Sequence, residues 1–226
     1  MSRLTVDQLQ SRIAALVDQD PDTSAISTDD YSLRLTYLNM ALHEWQETYD
    51  WQALYKEYGV LVSTSTGNAS LALPADFRKL AGFPKAIAEG TTREFPETRG
   101  QDATSFLDTD RRIEVLGNPA DGYTLRLFGV TLASGASVTV PYYASAGSLA
   151  TTSDIASIPN ADYLIRRTVA YLWEAREDPR FPQMKQEADR ILANMLEREN
   201  THSEASTFDR VRTTDETRHA FRWGRE

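Results

Sequence analysis

The chain has 226 residues, of which 41% are apolar and 25% are charged, and its formal net charge at pH 7 is −9. These proportions are typical of a soluble globular protein with one large or two small domains. The absence of cysteine excludes disulfide frameworks and thiolate metal sites. No apolar run approaches the roughly 18 residues that span a bilayer, and an acidic body disfavours tight binding to nucleic acid.

Residues 1–17 predict an amphipathic helix rather than a signal peptide. Thr5 and Gln8 have the spacing of a capping box, and the helix should end before Pro21. The apolar stripe of this helix comprises Leu9, Ile13, Leu16 and Val17.

The acidic run 18–22 has the composition of a calcium-binding loop but not its pattern. The sixth position is Thr23, where the sharp turn requires glycine, and the twelfth is Asp29 rather than glutamate. We therefore expect a polar turn between two helices, and no metal ion or cofactor is assigned to the chain.

Residues 29–51 predict the long helix around which the rest of the chain is organised. Asp29 and Asp30 stand where an N-cap and a first-turn acid belong. The apolar stripe comprises Leu35, Leu38, Leu42, Trp45 and Tyr49. Because Trp45, Tyr49 and Trp51 continue this stripe, we expect them mainly in the core rather than at an interface.

The hydrophobic period changes to two after this helix and predicts an antiparallel sheet of about five strands between Tyr55 and Ala144. The alternating runs lie at residues 58–62, 71–73, 113–115, 123–127 and 138–142, and turns are expected at residues 64–68 and 117–122. The first of these turns predicts a hairpin. The polar segment 91–110 is ambiguous, since residues 99–107 fit a short helix or a loop.

A second helical section follows a small-residue connector at 145–158 and opens at Pro159-Asn160. Its first stripe comprises Leu164, Ile165, Thr168, Val169, Leu172 and Trp173. Residues 178–182 break the helix, and the stripe after them comprises Met184, Ala188, Ile191, Leu192 and Met195.

The predicted fold class is therefore α+β: a four-helix bundle with an antiparallel β-module inserted between the second and third helices, plus an extended C-terminal arm. The expected domains are the first half of the bundle (1–51), the β-module (52–147), the second half of the bundle (148–200) and the arm (201–226).

Residues 201–226 differ in composition from the rest of the chain. They contain five arginines and five acids, so the preceding residues carry the whole net charge of −9. The absence of a helical stripe fits a disordered tail. Arginine and aromatic side chains such as Phe221, Arg222 and Trp223 instead fit a docking arm, because these residue types dominate binding interfaces. Both interpretations remain open from composition alone.

Catalysis finds little support in the sequence. The three histidines, His43, His202 and His219, are far apart, and no nucleophile elbow, phosphate-binding loop or zinc-binding helix motif is present. Arg78, Lys79 and Lys85 form only a small basic patch without interleaved aromatic residues. We therefore expect the protein not to be an enzyme.

The chain resembles the head-to-tail adaptor (connector) proteins of tailed bacteriophages. The segments that carry the resemblance occur in order: LNMALHEW at 38–45 closing in YDW at 49–51, LPADFRKL at 73–80, GYTLRL at 122–127, VTVPYY at 138–143, then Leu149 with Asp154, Ile158-Pro159, Tyr163-Leu164 and the two closing helices. Together they cover most of residues 1–200.

The resemblance implies a structural virion protein of the phage neck, made in the host cytoplasm. It would form a ring, commonly of twelve copies, between the portal protein and a downstream tail or neck protein. DNA would pass through the ring without specific binding, and no membrane would be involved. The resemblance also implies portal contact through the C-terminal arm, and the candidate portal-binding residues are Phe208, Arg210, Arg212, Arg218, His219, Phe221, Arg222, Trp223 and Arg225.

Two alternatives stay open. One is another neck or tail component, such as a stopper or tail-completion protein, which differs only in its neighbours. The other is a monomeric accessory binding protein with a pocket in its β-module.

Overall fold

A computed structural model describes residues 3–18, 27–62, 69–88, 91–94, 112–128, 132 and 134–220. Contacts divide the chain into two compact units. The helical unit comprises Met1–Gln52 with Ser148–Glu226, and the β unit comprises Ala53–Gly147. The protein is thus a mixed α+β protein with helices at both ends of the chain and antiparallel strands between them.

The helical unit contains α1 (Val6–Val17), α2 (Thr28–Thr48), α3 (Ala161–Ala175) and α4 (Phe181–Ala220), and a short 3₁₀ helix follows α2 at Gln52–Leu54. Helix α3 packs against each of the other three helices. Its predicted stripe is buried in full, as are Leu38, Leu42 and Trp45 of α2. The most buried helix face in this unit therefore belongs to α3, although α2 was expected to organise the packing.

Local capping explains where the first two helices begin. The Thr5 side chain accepts from the backbone N–H of Gln8, and the Gln8 side chain accepts from the backbone N–H of Thr5. The predicted capping box is thereby confirmed. Helix α2 is capped by Ser27, whose Oγ accepts from the backbone N–H of Asp30 at 3.1 Å. The N-cap assignment to Asp29 was wrong by two residues, because Asp29 and Asp30 both lie in the first turn.

The β unit contains eight described strands rather than about five: β1 (Tyr55–Leu61), β2 (Ala69–Ala72), β3 (Phe77–Leu80), β4 (Lys85–Ala88), β5 (Thr91–Glu94), β6 (Arg112–Asn118), β7 (Gly122–Phe128) and β8 (Ser137–Ala144). They form two antiparallel sheets. In the five-stranded sheet, β8 pairs with β1 on one side and with β3 and β4 on the other, and β5 pairs with β4. The second sheet has the order β2-β7-β6.

One apolar core fills the β unit. Its members come from both sheets and include Phe77, Ile113, Leu125, Leu127, Val138 and Val140. Burial alternates strictly along β8, with every second residue buried. This alternation is what a strand with one face on a core requires.

The hairpin predicted at residues 64–68 was wrong, and those residues lie outside the described part of the chain. Strand β1 pairs with β8, whereas β2 pairs with β7 in the other sheet. The turn predicted at residues 117–122 is confirmed, since β6 and β7 pair from Asn118↔Gly122 onwards. Of the ambiguous segment 91–110, Thr91–Glu94 forms β5, and the remainder lies outside the described residues.

The C-terminal arm is not extended over its first 20 residues, because α4 continues to Ala220. The prediction was wrong since it relied on the absence of an apolar stripe. A helix that has begun can continue without such a stripe when no residue interrupts it, and neither proline nor glycine occurs between Pro182 and Gly224.

Candidate functional site

Two tryptophans form the core at the end of α2. Trp45 and Trp51 are fully buried, and their rings stack with centroids 5.1 Å apart. The Trp51 indole Nε1 donates a hydrogen bond to the backbone oxygen of Trp45 at 2.7 Å. The expectation that both belong to the core is confirmed.

The same end of α2 binds α4 shortly before the candidate portal-binding residues. Tyr49 is half-buried and packs edge-on against Trp51 at 5.5 Å. Its hydroxyl donates to Oδ1 of Asn200 at 2.9 Å, and the backbone N–H of Gln52 donates to Glu199 at 3.4 Å. These contacts fix the position of α4 at residues 199–200.

The candidate portal-binding residues divide into two groups. Five of them belong to the last part of α4: Phe208, Arg210, Arg212, Arg218 and His219. The other four, Phe221, Arg222, Trp223 and Arg225, lie outside the described residues. The helical repeat places the backbone positions of Phe208, Arg212 and His219 on one side of α4, because they are four and seven residues apart.

A charged network that the sequence analysis did not identify connects three helices. The Arg167 guanidinium on α3 donates to both carboxylate oxygens of Glu44 on α2, at 2.7 and 2.6 Å. Tyr171 donates to the same carboxylate at 2.6 Å, and Asp189 on α4 lies 3.6 Å from Arg167. Burial alone would lower the pKa of Arg167, but the bonds to Glu44 and Tyr171 outweigh it and raise that pKa. Arg167 therefore stays charged and orients α2, α3 and α4.

The sequence contained one signal for this network. Glu44 lies within the LNMALHEW segment, one residue before the core residue Trp45, and it is not part of the apolar stripe of this helix. Its partner Arg167 is 123 residues away in the chain, so no local pattern could identify the pair.

Asn39 links α2 to the connector that precedes α3. Its Nδ2 donates to the backbone oxygen of Leu149 at 2.9 Å, and its Oδ1 accepts from the backbone N–H of Leu149 at 2.7 Å. The connector is also shaped by Asp154, which accepts from the backbone N–H groups of Ala150 and Thr151. Both residues occur in segments that carried the resemblance, and both act structurally.

A polar cluster lies at the edge of the β-unit core. Asp76 accepts from Lys56 Nζ at 2.6 Å and from the Tyr142 hydroxyl at 3.0 Å. Partial burial would raise the pKa of Asp76, but the bonds from Lys56 and Tyr142 lower it. Burial and the bond to Asp76 raise the pKa of Tyr142 to about 12.

The small basic patch has an aromatic neighbour that the sequence did not reveal. Lys79 pairs across strands with Tyr143, and its Nζ lies 5.8 Å from the centre of that ring. Lys85 lies across from Thr139 on the same sheet. The patch is therefore part of a sheet face and not of a loop.

The described residues hold no group of three or more histidine, aspartate or glutamate side chains that could bind a metal ion. His43 is exposed on α2. An open polar hollow on α4 is lined by Gln183, Gln186, Glu187 and Arg190, unlike the enclosed apolar cavities that bind small molecules. Within the part of the chain that is described, every helix is too short or too polar to cross a bilayer.

The chain matches the family model described as SU10 adaptor protein over residues 4–214. It belongs to the SU10 adaptor protein family. No curated protein matches the chain. The SU10 adaptor proteins are phage head–tail adaptors, so the resemblance seen in the sequence is confirmed.

Membership of the SU10 adaptor family makes the protein a structural component of a phage virion that contacts other head or tail components. The match continues to residue 214, which includes Phe208, Arg210 and Arg212. It therefore covers both units and part of the last helix.

Proposed function

We propose that this protein forms a ring in the phage neck, which connects the portal vertex of the head to the tail and continues the DNA channel. The observation that carries the proposal is the family match over residues 4–214. A ring of identical copies requires a heterologous interface, in which one face of each subunit meets a different face of the next. A chain with two units of different architecture offers two such faces.

In this proposal the end of α4 and the residues after it bind the portal. Tyr49 and Gln52 hold α4 at residues 199–200, so the following helix would project from a fixed base. The candidate contacts are the nine residues given above, from Phe208 to Arg225. Arginine and aromatic side chains combine large contact area with directed hydrogen bonds, which supports this assignment.

The negative charge of the protein suits a channel for DNA. Twelve copies would place about 100 net negative charges around the axis, which would discourage adhesion of phosphate groups. The acids are concentrated in residues 1–52, which contain nine against three arginines. In the proposal, DNA slides through the channel without specific binding.

Light scattering of the purified protein, alone and mixed with its portal protein, tests the ring. A discrete complex with many copies per portal is expected. A protein that stays monomeric under both conditions would contradict the proposal and favour a monomeric accessory protein. Binding to a tail protein without binding to the portal would favour a stopper or tail-completion protein.

Truncation after Asn200 tests the portal-binding segment separately. The truncated protein should keep the melting temperature of the full chain, and its far-UV circular dichroism should differ only by the loss of the last part of α4. It should nevertheless fail to join the portal. A matched control replaces exposed Lys185 and Arg190 on the first half of α4 by alanine and should bind normally. If the truncated protein binds the portal as well as the full chain does, the segment is not the docking element.

A further inference from the structure

The five-stranded sheet of the β unit has one face on the core and one outward face. Because β8 buries every second residue, Thr139 and Tyr143 point away from the core. The register places Tyr55 beside Tyr143 and Gly59 beside Thr139. We call this surface the Gly59 face; it comprises Tyr55, Glu57, Gly59, Leu61, Lys79, Lys85 and Tyr143.

Among the described residues, nothing requires glycine at position 59. A Cβ atom added there would meet nothing within 4 Å, and its φ does not lie in the left-handed region. Glycine in a strand interior weakens the strand, because it has no side chain to pack and loses more backbone entropy on folding. Such a glycine often marks a site where another molecule approaches closely.

Along β1, Gly59 lies between an aromatic pair and an exposed apolar side chain. On one side, the Tyr55 and Tyr143 rings meet edge to face at 6.1 Å, with Lys79 over Tyr143. On the other side, Leu61 is 68% exposed. The Tyr55 hydroxyl donates to Glu57, so this acid and Lys79 both lie beside the aromatic pair.

Helix α2 presents a complementary outward stripe, defined by Asp29, Leu33, Thr36, Met40, His43 and Glu47, which are all exposed. These residues follow one another at steps of three and four, so they share one helix face. Leu33 is 42% and Met40 is 47% exposed, and acids lie at both ends of the stripe. A helix with apolar residues at the centre of an exposed face is suited to packing on a partner surface that exposes apolar and aromatic side chains.

We propose that the Gly59 face of one copy receives the outward stripe of α2 from a second copy. The inference rests on the proposed ring and names the two surfaces that would meet in it. Charge favours this pairing: residues 1–52 hold nine acids against three arginines, whereas residues 53–147 hold ten acids against nine basic residues. Two acidic helical units would repel, whereas the β unit is nearly neutral and its Gly59 face carries two lysines, Lys79 and Lys85, against the one acid Glu57.

The substitution Gly59→Val tests the Gly59 face. Valine favours strands and finds open space, so the melting temperature of the β unit should stay the same or rise. The valine side chain occupies the open space over Gly59, and assembly with the portal present should weaken at least tenfold in sedimentation velocity. The matched control is Ser70→Val on an exposed position of β2, which should assemble normally.

A second variant, Met40→Glu, blocks the outward stripe and should also fail to assemble. The Met40→Glu variant keeps an intact Gly59 face, and the Gly59→Val variant keeps an intact α2 stripe. A mixture of the two can therefore form one contact per pair, and a 1:1 heterodimer is expected at concentrations where the unaltered protein assembles. This complementation requires two different faces on different copies, which a folding defect would not produce.

The other outcomes separate the inference from the ring itself. Normal assembly of Gly59→Val overturns the inference and leaves the ring intact. Loss of assembly in both variants without a heterodimer shows that the Gly59 face binds the portal or another partner, which overturns the assignment to α2. An unaltered protein that assembles neither alone nor on its portal overturns the ring, and the inference with it.

Discussion

Trp51 caps the helix that precedes it: its indole Nε1 donates to the backbone oxygen of Trp45 at 2.7 Å, although Trp51 lies beyond the last residue of α2. The last four carbonyl groups of a helix have no partner within it, and that of Trp45 is one of them. Because both residues are fully buried, this side chain satisfies a carbonyl that water could not reach.

Replacing Trp51 by phenylalanine should destabilise the helical unit by about 1–3 kcal/mol, because it leaves the buried Trp45 carbonyl unpaired while keeping an aromatic ring. Urea unfolding followed by circular dichroism at 222 nm measures the change. The control Tyr49→Phe removes an exposed hydrogen bond and should change the free energy of unfolding by less than about 0.5 kcal/mol. Equal effects for the two variants would contradict the capping role.

Replacing Asn39 by alanine should cost about 2–4 kcal/mol, because both hydrogen bonds to the Leu149 backbone are lost together. Asn39→Asp should be nearly as damaging, since a carboxylate can accept from the Leu149 N–H but repels the Leu149 carbonyl. Thermal unfolding measures both changes. The control is Met40→Ala at the exposed neighbouring position, which should change the free energy of unfolding little. An equal loss of stability in this control would show that the effect is not specific to the Asn39 hydrogen bonds.

Replacing Gly117 by alanine should destabilise the β unit by more than about 2 kcal/mol. A Cβ at this position would lie 2.1 Å from the backbone oxygen of Gly122, and φ is +111°. Gly122→Ala is the matched control: φ is +85°, but nothing lies within 4 Å of the added Cβ. It should cost only the left-handed backbone penalty of about 1–2 kcal/mol. A smaller effect at Gly117 than at Gly122 would contradict the described turn.

The raised pKa of Tyr142 predicts a loss of stability at high pH. Burial and the bond to Asp76 raise this pKa from its ordinary value of 10.0 to about 12, so the folded state holds the proton more tightly than the unfolded state. The stabilisation is complete below pH 10 and disappears as the pH rises to about 12. The free energy of unfolding of the unaltered protein should therefore fall towards that of Tyr142→Phe over this interval. A difference between the two that does not change with pH would contradict the prediction.

Local chemistry was sufficient wherever one short segment decides the structure. The capping box at Thr5, the turn between β6 and β7 and the break between α3 and α4 each depend on a few adjacent residues, and each was predicted. The stripe of α3 was predicted because a single helix face is buried along its whole length. The resemblance to phage head-to-tail adaptors was recognised from segments that occur in a fixed order, and the family match confirms it.

The tertiary structure decided which strands pair. Strands β1 and β2 follow one another in the chain, but each finds its partner far away, β1 at β8 and β2 at β7. Strands β3, β4 and β5 carry no clear alternation of apolar and polar residues, unlike the equally short β2, and they form because neighbouring strands supply backbone hydrogen bonds.

The partners of single side chains also depended on the tertiary structure. The sequence by itself determined that Trp45 is buried, because it lies on the apolar stripe of α2. Trp51 is buried as predicted but not for the predicted reason, since α2 ends at Thr48 and Trp51 folds back to stack on Trp45. It did not determine that Glu44 binds Arg167 or that Gly59 lies open on a sheet face. Burial follows from a local pattern, whereas a partner is chosen only when distant segments pack together.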